Sequence, residues 1–381
     1  MRVPFFFVSF VEVGFDEVRD KGNSTSAAGG RIDTRHQQMN HALLATLKLV
    51  KHHTGIVVPV YLPSDEKHDA GAALLRDTVR AFADLIDDPG FVCLSVDGTE
   101  NGMETAQQLG DSLGVSVVGE AENRGKLQGM IGGTRELLGK KDIKYLAVVD
   151  QDGDHFANEL PNFVRAAEHI LSQTGSKRVL VNGGRTSRHR PMGFLRGELE
   201  EFADRVLLEM LRYRAAAKGT PLDLRFAGTT EEFPDFHSGY KLYNRRTAEE
   251  VFGQDPDLCG CARDAGYRHG CEAVAVVQSL ESGAIFGQVM RSTFNRQPVS
   301  TFESLDIVEL VSDKMIWPAR RLEIPATFIR QWMLNCMPGL SLQTLLPQGA
   351  GTLGEIFRRV MEELDPDGSH RLPADEFSLF V

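Results

Sequence analysis

Three carboxylates at alternate positions follow a short apolar run near the middle of the chain. Residues 146–149 are apolar and partly β-branched, as in a buried central strand, and Asp150, Asp152 and Asp154 come directly after them. If the backbone stays extended there, all three side chains lie on one face. Grouped carboxylates repel each other and are costly to desolvate, so they need a cation, a proton or water. Oxygen ligands suit Mg²⁺ or Mn²⁺, so the group predicts a metal site that would bridge a diphosphate; the alternative is an acidic turn without a ligand.

A lysine-bearing loop and a fourth carboxylate are expected at the same edge of the sheet. Asp97 follows the apolar segment 91–96, and Gly125 and Lys126 open a helical segment that ends near Leu138. Glycine lets the backbone approach a ligand, while lysine and a helix N-terminus offer positive potential to a phosphate. In an open α/β sheet, ligands bind beyond the carboxyl ends of the strands. Asp97, Lys126 and Asp150 are therefore predicted to share one site.

The elements that must position these residues alternate between strands and helices. Strands are predicted at 56–62, 91–96, 115–118, 146–149, 178–181 and 284–290, and helices at 41–53, 70–86, 103–113, 126–138, 160–172 and 195–210. Strand-helix alternation predicts an α/β fold with a mostly parallel sheet and right-handed crossovers.

Three regions are expected along the chain. Residues 1–36 pass through a polar Gly/Ser stretch and are predicted to be an N-terminal extension, 37–305 to be the α/β domain, and 306–381 to be a small helical C-terminal region punctuated by prolines. The last region contains a weak calcium-loop pattern at 365–376, with oxygen-bearing residues at positions 1, 3, 5 and 12: Asp365, Asp367, Ser369 and Glu376. His370 stands where that loop requires glycine, so a helix-stopping D-P-D-G turn is the preferred interpretation.

Composition and charge narrow the class of protein. Lys plus Arg total 42 against 53 for Asp plus Glu, a net charge of −11, which disfavours nonspecific binding to nucleic acid or to anionic membranes. Apolar runs are too short for a transmembrane segment, and acidic residues follow the apolar run 4–13 where a signal peptide would be cleaved. An odd number of cysteines, five, favours a reducing compartment. We therefore expect a cytoplasmic protein.

Two further clusters allow alternative interpretations. Cys259, Cys261, His269 and Cys271 raise the question of zinc, but their spacing favours buried thiols. Four basic residues in six positions could hold an anionic group or form a solvated loop: Arg185, Arg188, His189 and Arg190.

The succession of motifs resembles nucleotide-sugar glycosyltransferases of the GT-A fold over residues 55–305. Later motifs are closest to the retaining glucosyl-3-phosphoglycerate and mannosylglycerate synthases: the turn Ser238-Gly239, the G-x-E segment 270–272, and the N-R-x-P run 295–298. The phrase S-G-Y-K-L-Y is also similar to polyprenyl-phosphate sugar transferases, which often carry membrane helices. The resemblance implies a Rossmann-like sheet flanked by helices.

The resemblance also implies roles for the donor side of the site. It gives Asp97 the nucleoside, Lys126 the phosphates, and the D-x-D pair Asp150 and Asp152 the metal and ribose. Further donor contacts are expected from Pro59, Gly125 and Gly239. One departure concerns a late-loop histidine that the synthases use as a metal ligand, where this chain has Thr293, Phe294 and Asn295. Asn295 could supply an oxygen, Asp154 could substitute, or Asp152 and the diphosphate alone could hold the ion.

The activity implied is a Mg²⁺- or Mn²⁺-dependent hexosyltransferase that moves a sugar from a nucleotide-diphosphate donor to a small hydroxyl acceptor. Lys126 and Glu272 are the catalytic candidates. Glu272 would orient hydroxyls or act as a base. The alternative is that Glu272 only stabilises the N-terminus of its helix through the helix dipole. Acceptor contacts, with an anionic acceptor as one option, are assigned to Arg185, Arg188, Arg190, Ser238 and Arg296. Partners would be the two substrates, without nucleic acid, and a homodimer is left open. The alternatives are a sugar nucleotidyltransferase and a catalytically silent nucleotide-sugar-binding protein.

Overall fold

The computed structural model describes residues 29–63, 66–228, 233–294, 306–340, 345–346 and 348–367, with side chains from residue 41 onward. The predicted site residues Asn295, Arg296, Ser369 and Glu376 lie outside the described residues. The chain divides into two compact units, residues 1–44 and 45–381. In the first, the structure describes the helical stretch 29–44. The second contains the sheet and the remaining elements described below.

One seven-stranded sheet organises the second unit. Its strands are β1 Thr54–Val60, β2 Val92–Asp97, β3 Ser116–Glu120, β4 Tyr145–Val148, β5 Val179–Arg185, β6 Lys241–Asn244 and β7 Ile285–Arg291. The order is β3-β2-β1-β4-β6-β5-β7, and every pairing is parallel except those of β6 with β4 and β5. The mixed α/β class with a mostly parallel sheet is confirmed. Since β5 and β4 are both antiparallel to β6, they point the same way.

Helices alternate with most of these strands along the described chain and follow the last strand. They are α1 Gly29–His53, α2 His68–Ala83, α3 Met103–Leu113, α4 Lys126–Leu138, α5 Leu160–Thr174, α6 His189–Ala217, α7 Arg245–Phe252, α8 Cys271–Glu281, α9 Ile307–Arg321, α10 Ala326–Cys336 and α11 Gly349–Leu364. Helix α1 starts 12 residues before the predicted helix at 41, within the expected N-terminal extension. In the described part of the chain, no helix combines the length and apolar character that a membrane span requires.

The central strands are buried along their whole length, which explains their apolar sequence. All seven residues of β1 are buried, since β2 and β4 flank this strand and helices cover its faces. Pro59 is tolerated there because its missing N–H lies beyond Val57, the last β1 residue that pairs with β4. The end of β1 stays paired with β2, and only its β4 side is open at the carboxyl edge of the sheet.

The C-terminal helices pack onto the sheet domain. Helix α9 lies against α6 and α11, and its Trp317 is fully buried, with the indole Nε1 donating to the Asp257 carbonyl at 3.0 Å. Helix α11 ends at Leu364, directly before Asp365, at the position that the D-P-D-G turn predicts. The sequence prediction of a helical C-terminal region agrees with these elements, and calcium binding there stays a prediction.

Candidate active site

A cavity of about 350 Å³ opens at the carboxyl edge of the parallel strands. Each central strand contributes to its wall: Pro59 from β1, Asp97 from the end of β2, Asp150 and Asp152 after β4, Gly239 before β6, and Arg185 from the end of β5. Lys126 and Glu272 line the same cavity, from the first turns of α4 and α8. Predicted site residues from seven separate segments of the chain thus line one cavity.

Asp97 holds the lysine-bearing loop in place. Its Oδ1 accepts from the Arg124 amide at 2.7 Å and its Oδ2 from the Gly125 amide at 2.8 Å. Gly125 has φ +110°, and a Cβ there would lie 2.5 Å from the carbonyl oxygen of Tyr267. A residue with a side chain would be strained and would collide with the backbone. Asp97 and Gly125 together fix the start of α4, and hence the direction of Lys126.

Lys126 joins two carboxylates that the sequence places far apart. Its Nζ lies 2.6 Å from Asp150 Oδ1 and 2.8 Å from Glu272 Oε1. Burial alone would lower the pKa of Lys126, but the two carboxylates outweigh burial and raise this pKa well above its usual value. Burial would raise the pKa of Asp150, but Lys126 holds it well below its usual range. The centre of the site is thus a fully ionised triad.

Asp150 is also fixed from its other sides. His155 Nδ1 accepts from the Asp150 amide at 2.8 Å, and the His155 ring stacks on Tyr240 with centroids 4.9 Å apart. Burial, with the nearby Arg291, lowers the pKa of His155 well below its usual value, so the ring is neutral. Gly239 presses against the same carboxylate, since a Cβ there would overlap Asp150 Oδ2. Glycine is therefore required at the S-G turn because Asp150 occupies the space.

Gln151, the middle residue of the D-x-D motif, joins the chain after β4 to the end of β1 through two hydrogen bonds. Its Oε1 accepts from the Tyr61 amide at 2.9 Å, and its Nε2 donates to the Tyr61 carbonyl at 2.7 Å. The side-chain amide takes the place that a neighbouring strand would occupy beyond the end of β1. Gln151 was not a predicted site residue, and its only sequence signal is its position between two site aspartates.

The backbone does not stay extended through Asp154, so the condition for three carboxylates on one face is not met. The chain turns after β4, and Gly153 has φ +82°. Asp154 is turned toward Arg291, whose Nη1 lies 3.1 Å from Asp154 Oδ2, while Oδ1 accepts from the Phe294 amide at 2.7 Å. Both carboxylate oxygens are therefore occupied by groups that bind the late loop to the end of β4. Asp154 is thus engaged within the protein, and it lines the cavity together with Asp152 and with Asp150, which pairs with Lys126.

Glu272 stands at the start of α8 with both oxygens engaged. Oε1 faces Lys126, and Oε2 accepts from the Cys271 thiol at 2.9 Å. Burial raises the pKa of Glu272, but Lys126 and then Lys241 lower it more, to about 2. The helix dipole that the sequence suggested as an alternative is compatible with this position, and the contact with Lys126 adds a specific partner.

The predicted acceptor arginines are largely neutralised by carboxylates. Arg185 binds Asp235 through two hydrogen bonds, from Nε at 2.7 Å and from Nη2 at 2.6 Å. Arg188 is buried at the start of α6, with Nη2 3.2 Å from Asp204. Arg190 is exposed on α6 and is not part of the cavity wall. The basic segment is thus the end of β5 and the first turn of α6, and its acceptor role stays a prediction.

Ser238 also faces the protein interior. It is fully buried, and its hydroxyl accepts from Arg291 Nε at 3.3 Å. The wall beyond Asp150 is instead built by residues that sequence reasoning missed, notably Arg196 and Glu200 of α6 and Lys314 of α9. Lys314 Nζ lies 2.7 Å from Glu200 Oε1. Arg196 is a neighbour of Glu200 on α6, whereas Lys314 and Arg185 reach Glu200 from distant segments that no local pattern indicates.

Among the described residues, the cysteine cluster does not bring three ligand atoms together, and Cys271 is buried whereas Cys259 and Cys261 are partly exposed. All five cysteines are free thiols, and Cys271 alone of the three in the cluster lines the cavity. In the part of the chain that the structure describes, one group of three could hold a metal ion: His269, Glu309 and Asp313, whose ligand atoms lie within 4.8 Å of one another. Arg359 Nη2 contacts both carboxylates, at 3.2 Å and 3.4 Å. A guanidinium therefore already supplies positive charge there.

Comparison with known proteins finds similar chains among solved structures but none by sequence. No family model matches the chain, and no curated protein sequence matches it. Among solved structures, residues 1–349 of TarS from S. aureus are similar over 84% of this chain and 93% of that chain, with a TM-score of 0.35 and 10% sequence identity. A likeness at this level says nothing of substrates, and the site described above rests on the chain's own residues.

Proposed function

We propose that this chain is a metal-dependent glycosyltransferase that moves a sugar from a nucleoside-diphosphate donor to a hydroxyl acceptor. The observation that carries the proposal is Lys126, held between Asp150 and Glu272 in a cavity that Asp97 and Asp152 also line. A lysine at a helix N-terminus, beside carboxylates suited to a divalent cation, fits the negative charge of a diphosphate. The finer likeness to the glucosyl-3-phosphoglycerate and mannosylglycerate synthases is part of the same hypothesis.

The donor set fits a hard divalent cation. Asp150 and Asp152 both line the cavity and offer carboxylate oxygens, and the close approach of Gly239 leaves no room for a side chain beside Asp150. Mg²⁺ or Mn²⁺ bound by these two residues would offset the charge that develops on the departing diphosphate. Asp154 is not needed for this task, since Arg291 pairs with it.

The order of strands suggests how the donor lies. Across the sheet, the wall passes from Asp97 on β2 through Pro59 on β1 and Asp150 after β4 to Arg185 on β5. We assign the nucleoside to the β1 and β2 side, the diphosphate to Lys126 and the Asp150 region, and the sugar and acceptor to the β6 and β5 side. Lys126 would donate to phosphate oxygens, and Glu272 would orient a hydroxyl.

The test is a panel of UDP-, GDP- and ADP-sugars with Mn²⁺ or Mg²⁺, read first as thermal shift and then as donor hydrolysis. We expect one base to stabilise the protein in a metal-dependent way and its sugar to be released slowly to water. Asp152→Asn is the matched variant that should abolish the metal dependence. A panel without any stabilisation would overturn the proposal, and binding without turnover would identify a nucleotide-sugar-binding protein.

A further inference from the structure

Two histidines in the cavity wall are each held by an aspartate, but one of them alone is accessible. His237 Nδ1 lies 2.7 Å from Asp204 Oδ1, and His269 Nδ1 lies 2.6 Å from Asp313 Oδ2. The His237 side chain is 0% exposed, so its ring is sealed in the protein. The His269 side chain is 6% exposed and lines the cavity. Of the two, His269 is the histidine that a ligand in the cavity can reach.

The aspartate determines which ring nitrogen of His269 is offered to a ligand. A carboxylate only accepts hydrogen bonds, so the nitrogen facing Asp313 carries the N–H, and in the neutral ring the lone pair is on Nε2. Asp313 is held in turn by Arg359, whose Nη2 lies 3.4 Å from its other oxygen. A basic nitrogen oriented by a carboxylate is the arrangement that activates a nucleophile in many enzymes.

Glu272, three residues further along, is less suited to accept a proton. Lys126 and Cys271 occupy its two oxygens, at 2.8 Å and 2.9 Å. Its pKa of about 2, which Lys126 sets against the opposing effect of burial, means that it would hold a proton only weakly. His269 and Glu272 line the same cavity at the start of α8. Glu272 is therefore committed to a lysine, whereas His269 is an imidazole oriented by a carboxylate.

We propose that His269 is the general base that takes the proton of the acceptor hydroxyl, an inference that rests on the proposed glycosyl transfer. The hydroxyl donates to Nε2, and its oxygen forms the new bond to the anomeric carbon. The bond from that carbon to the phosphate oxygen breaks, and the phosphate oxygen keeps the electron pair. The proton moves to Nε2 and passes to solvent after the products leave. Asp313 is the positioning residue for the ring.

The competing role for His269 is metal binding together with Glu309 and Asp313. Arg359 contacts both carboxylates, which places a fixed positive charge where a cation would bind. This contact favours the base over the metal ligand. The two roles differ in a measurable way, because loss of a base leaves metal-dependent donor binding intact.

The experiment compares His269→Asn and His269→Ala with the native protein, using the UDP-, GDP- or ADP-sugar that stabilises it. Asparagine can still donate to Asp313 but lacks the second nitrogen, and alanine leaves space for added imidazole. We expect His269→Asn to lower donor hydrolysis by about 100-fold, with a donor Kd within about twofold of native. Imidazole should restore His269→Ala by at least about tenfold, since it returns the missing base.

Controls separate the outcomes. His169→Asn, at an exposed position on α5, should hydrolyse the donor as the native protein does. Hydrolysis by His269→Asn within about threefold of native, no rescue of His269→Ala by imidazole, or loss of Mn²⁺-dependent donor binding would each overturn the inference. His269→Gln is measured as well, in case either variant is unfolded. A native protein that binds no donor overturns the proposed function, whereas equal turnover by native and His269→Asn overturns this inference alone.

Discussion

Lys126 Nζ lies 2.6 Å from Asp150 Oδ1, so the lysine predicted to meet phosphate is paired with an aspartate predicted to meet metal. Lys126→Met removes the shared cation from Asp150 and Glu272. We expect donor hydrolysis to fall by about 100- to 1000-fold, because the positive charge at the diphosphate is lost. The free energy of unfolding should fall by about 1–3 kcal/mol, less than for a fully buried pair because the Lys126 side chain is 28% exposed.

Lys144→Met is the matched control, since Lys144 is exposed and directly precedes β4. It should leave both hydrolysis and unfolding unchanged. Donor hydrolysis by Lys126→Met at the native rate would contradict the phosphate role. Both variants are compared by hydrolysis of the stabilising donor and by chemical denaturation.

Asp152→Asn should affect metal dependence, whereas Asp154→Asn should affect stability. Asp152→Asn should abolish the metal-dependent thermal shift with donor and cost less than about 1 kcal/mol of stability. Asp154→Asn leaves Arg291 as an uncompensated buried charge and should cost about 3 kcal/mol. Thermal melts with and without Mn²⁺ and donor separate the two effects. Loss of metal dependence in Asp154→Asn at native stability would show that Asp154 is a ligand after all.

Gly239→Ala tests the close packing of Asp150. The new Cβ would overlap Asp150 Oδ2 and displace the carboxylate from Lys126. We expect donor hydrolysis to fall by about 100-fold, as for a misplaced catalytic group. Gly354→Ala is the control, since no atom lies within 4 Å of a Cβ there, inside α11. That variant should be more stable by about 0.5–1 kcal/mol. Native hydrolysis by Gly239→Ala would mean that Asp150 tolerates displacement.

Glu272→Gln tests the ion pair through the pH dependence of stability. The folded pKa of Glu272 is about 2, below the value of about 4.3 expected for an unfolded chain. Because the folded pKa of Glu272 is lowered, its ionised form stabilises the folded state. This stabilisation is complete above about pH 4.3 and is lost as the pH falls toward 2. The contribution is at most about 3 kcal/mol. We expect the native protein to lose more stability than Glu272→Gln between pH 5 and 3, as measured by urea unfolding. If the free energy of unfolding falls equally with pH in the native protein and in Glu272→Gln, the pairing with Lys126 is ruled out.

Arg185 and Arg190 distinguish a structural from an acceptor role for the basic segment. Arg185→Lys loses the two-point contact with Asp235 and should cost about 2–3 kcal/mol. Arg190→Ala, at an exposed position, should stay within about 0.5 kcal/mol of native and keep full transfer activity. A rise in the acceptor KM for Arg190→Ala would restore the sequence-based assignment.

The sheet and the central site could be predicted because their signals are local. Apolar runs that end in Asp97 and Asp150 indicate buried strands with carboxylates at their carboxyl ends, and parallel strands bring those ends to one edge. Gly125 and Lys126 were predictable for the same reason, since a glycine before a helix start is a local pattern.

The remaining contacts depend on partners that are distant in sequence. Asp154 pairs with Arg291, 137 residues away, and Arg185 with Asp235, 50 residues away. No spacing rule predicts such pairs. Gly153, with φ +82°, is a local signal for the turn that ends the extended backbone after β4. The orientation of His269 by Asp313 likewise joins segments 44 residues apart.

The two hydrogen bonds between Gln151 and the Tyr61 backbone give the middle residue of the acidic motif a structural role. Because one side chain satisfies both the amide and the carbonyl of Tyr61, shortening it by one methylene in Gln151→Asn would leave both groups to water. Grafting the two aspartates alone onto another sheet would therefore transfer the ligands without the hydrogen bonds that align the two strand ends. An engineered copy of this site needs the three consecutive residues and the facing backbone as one unit.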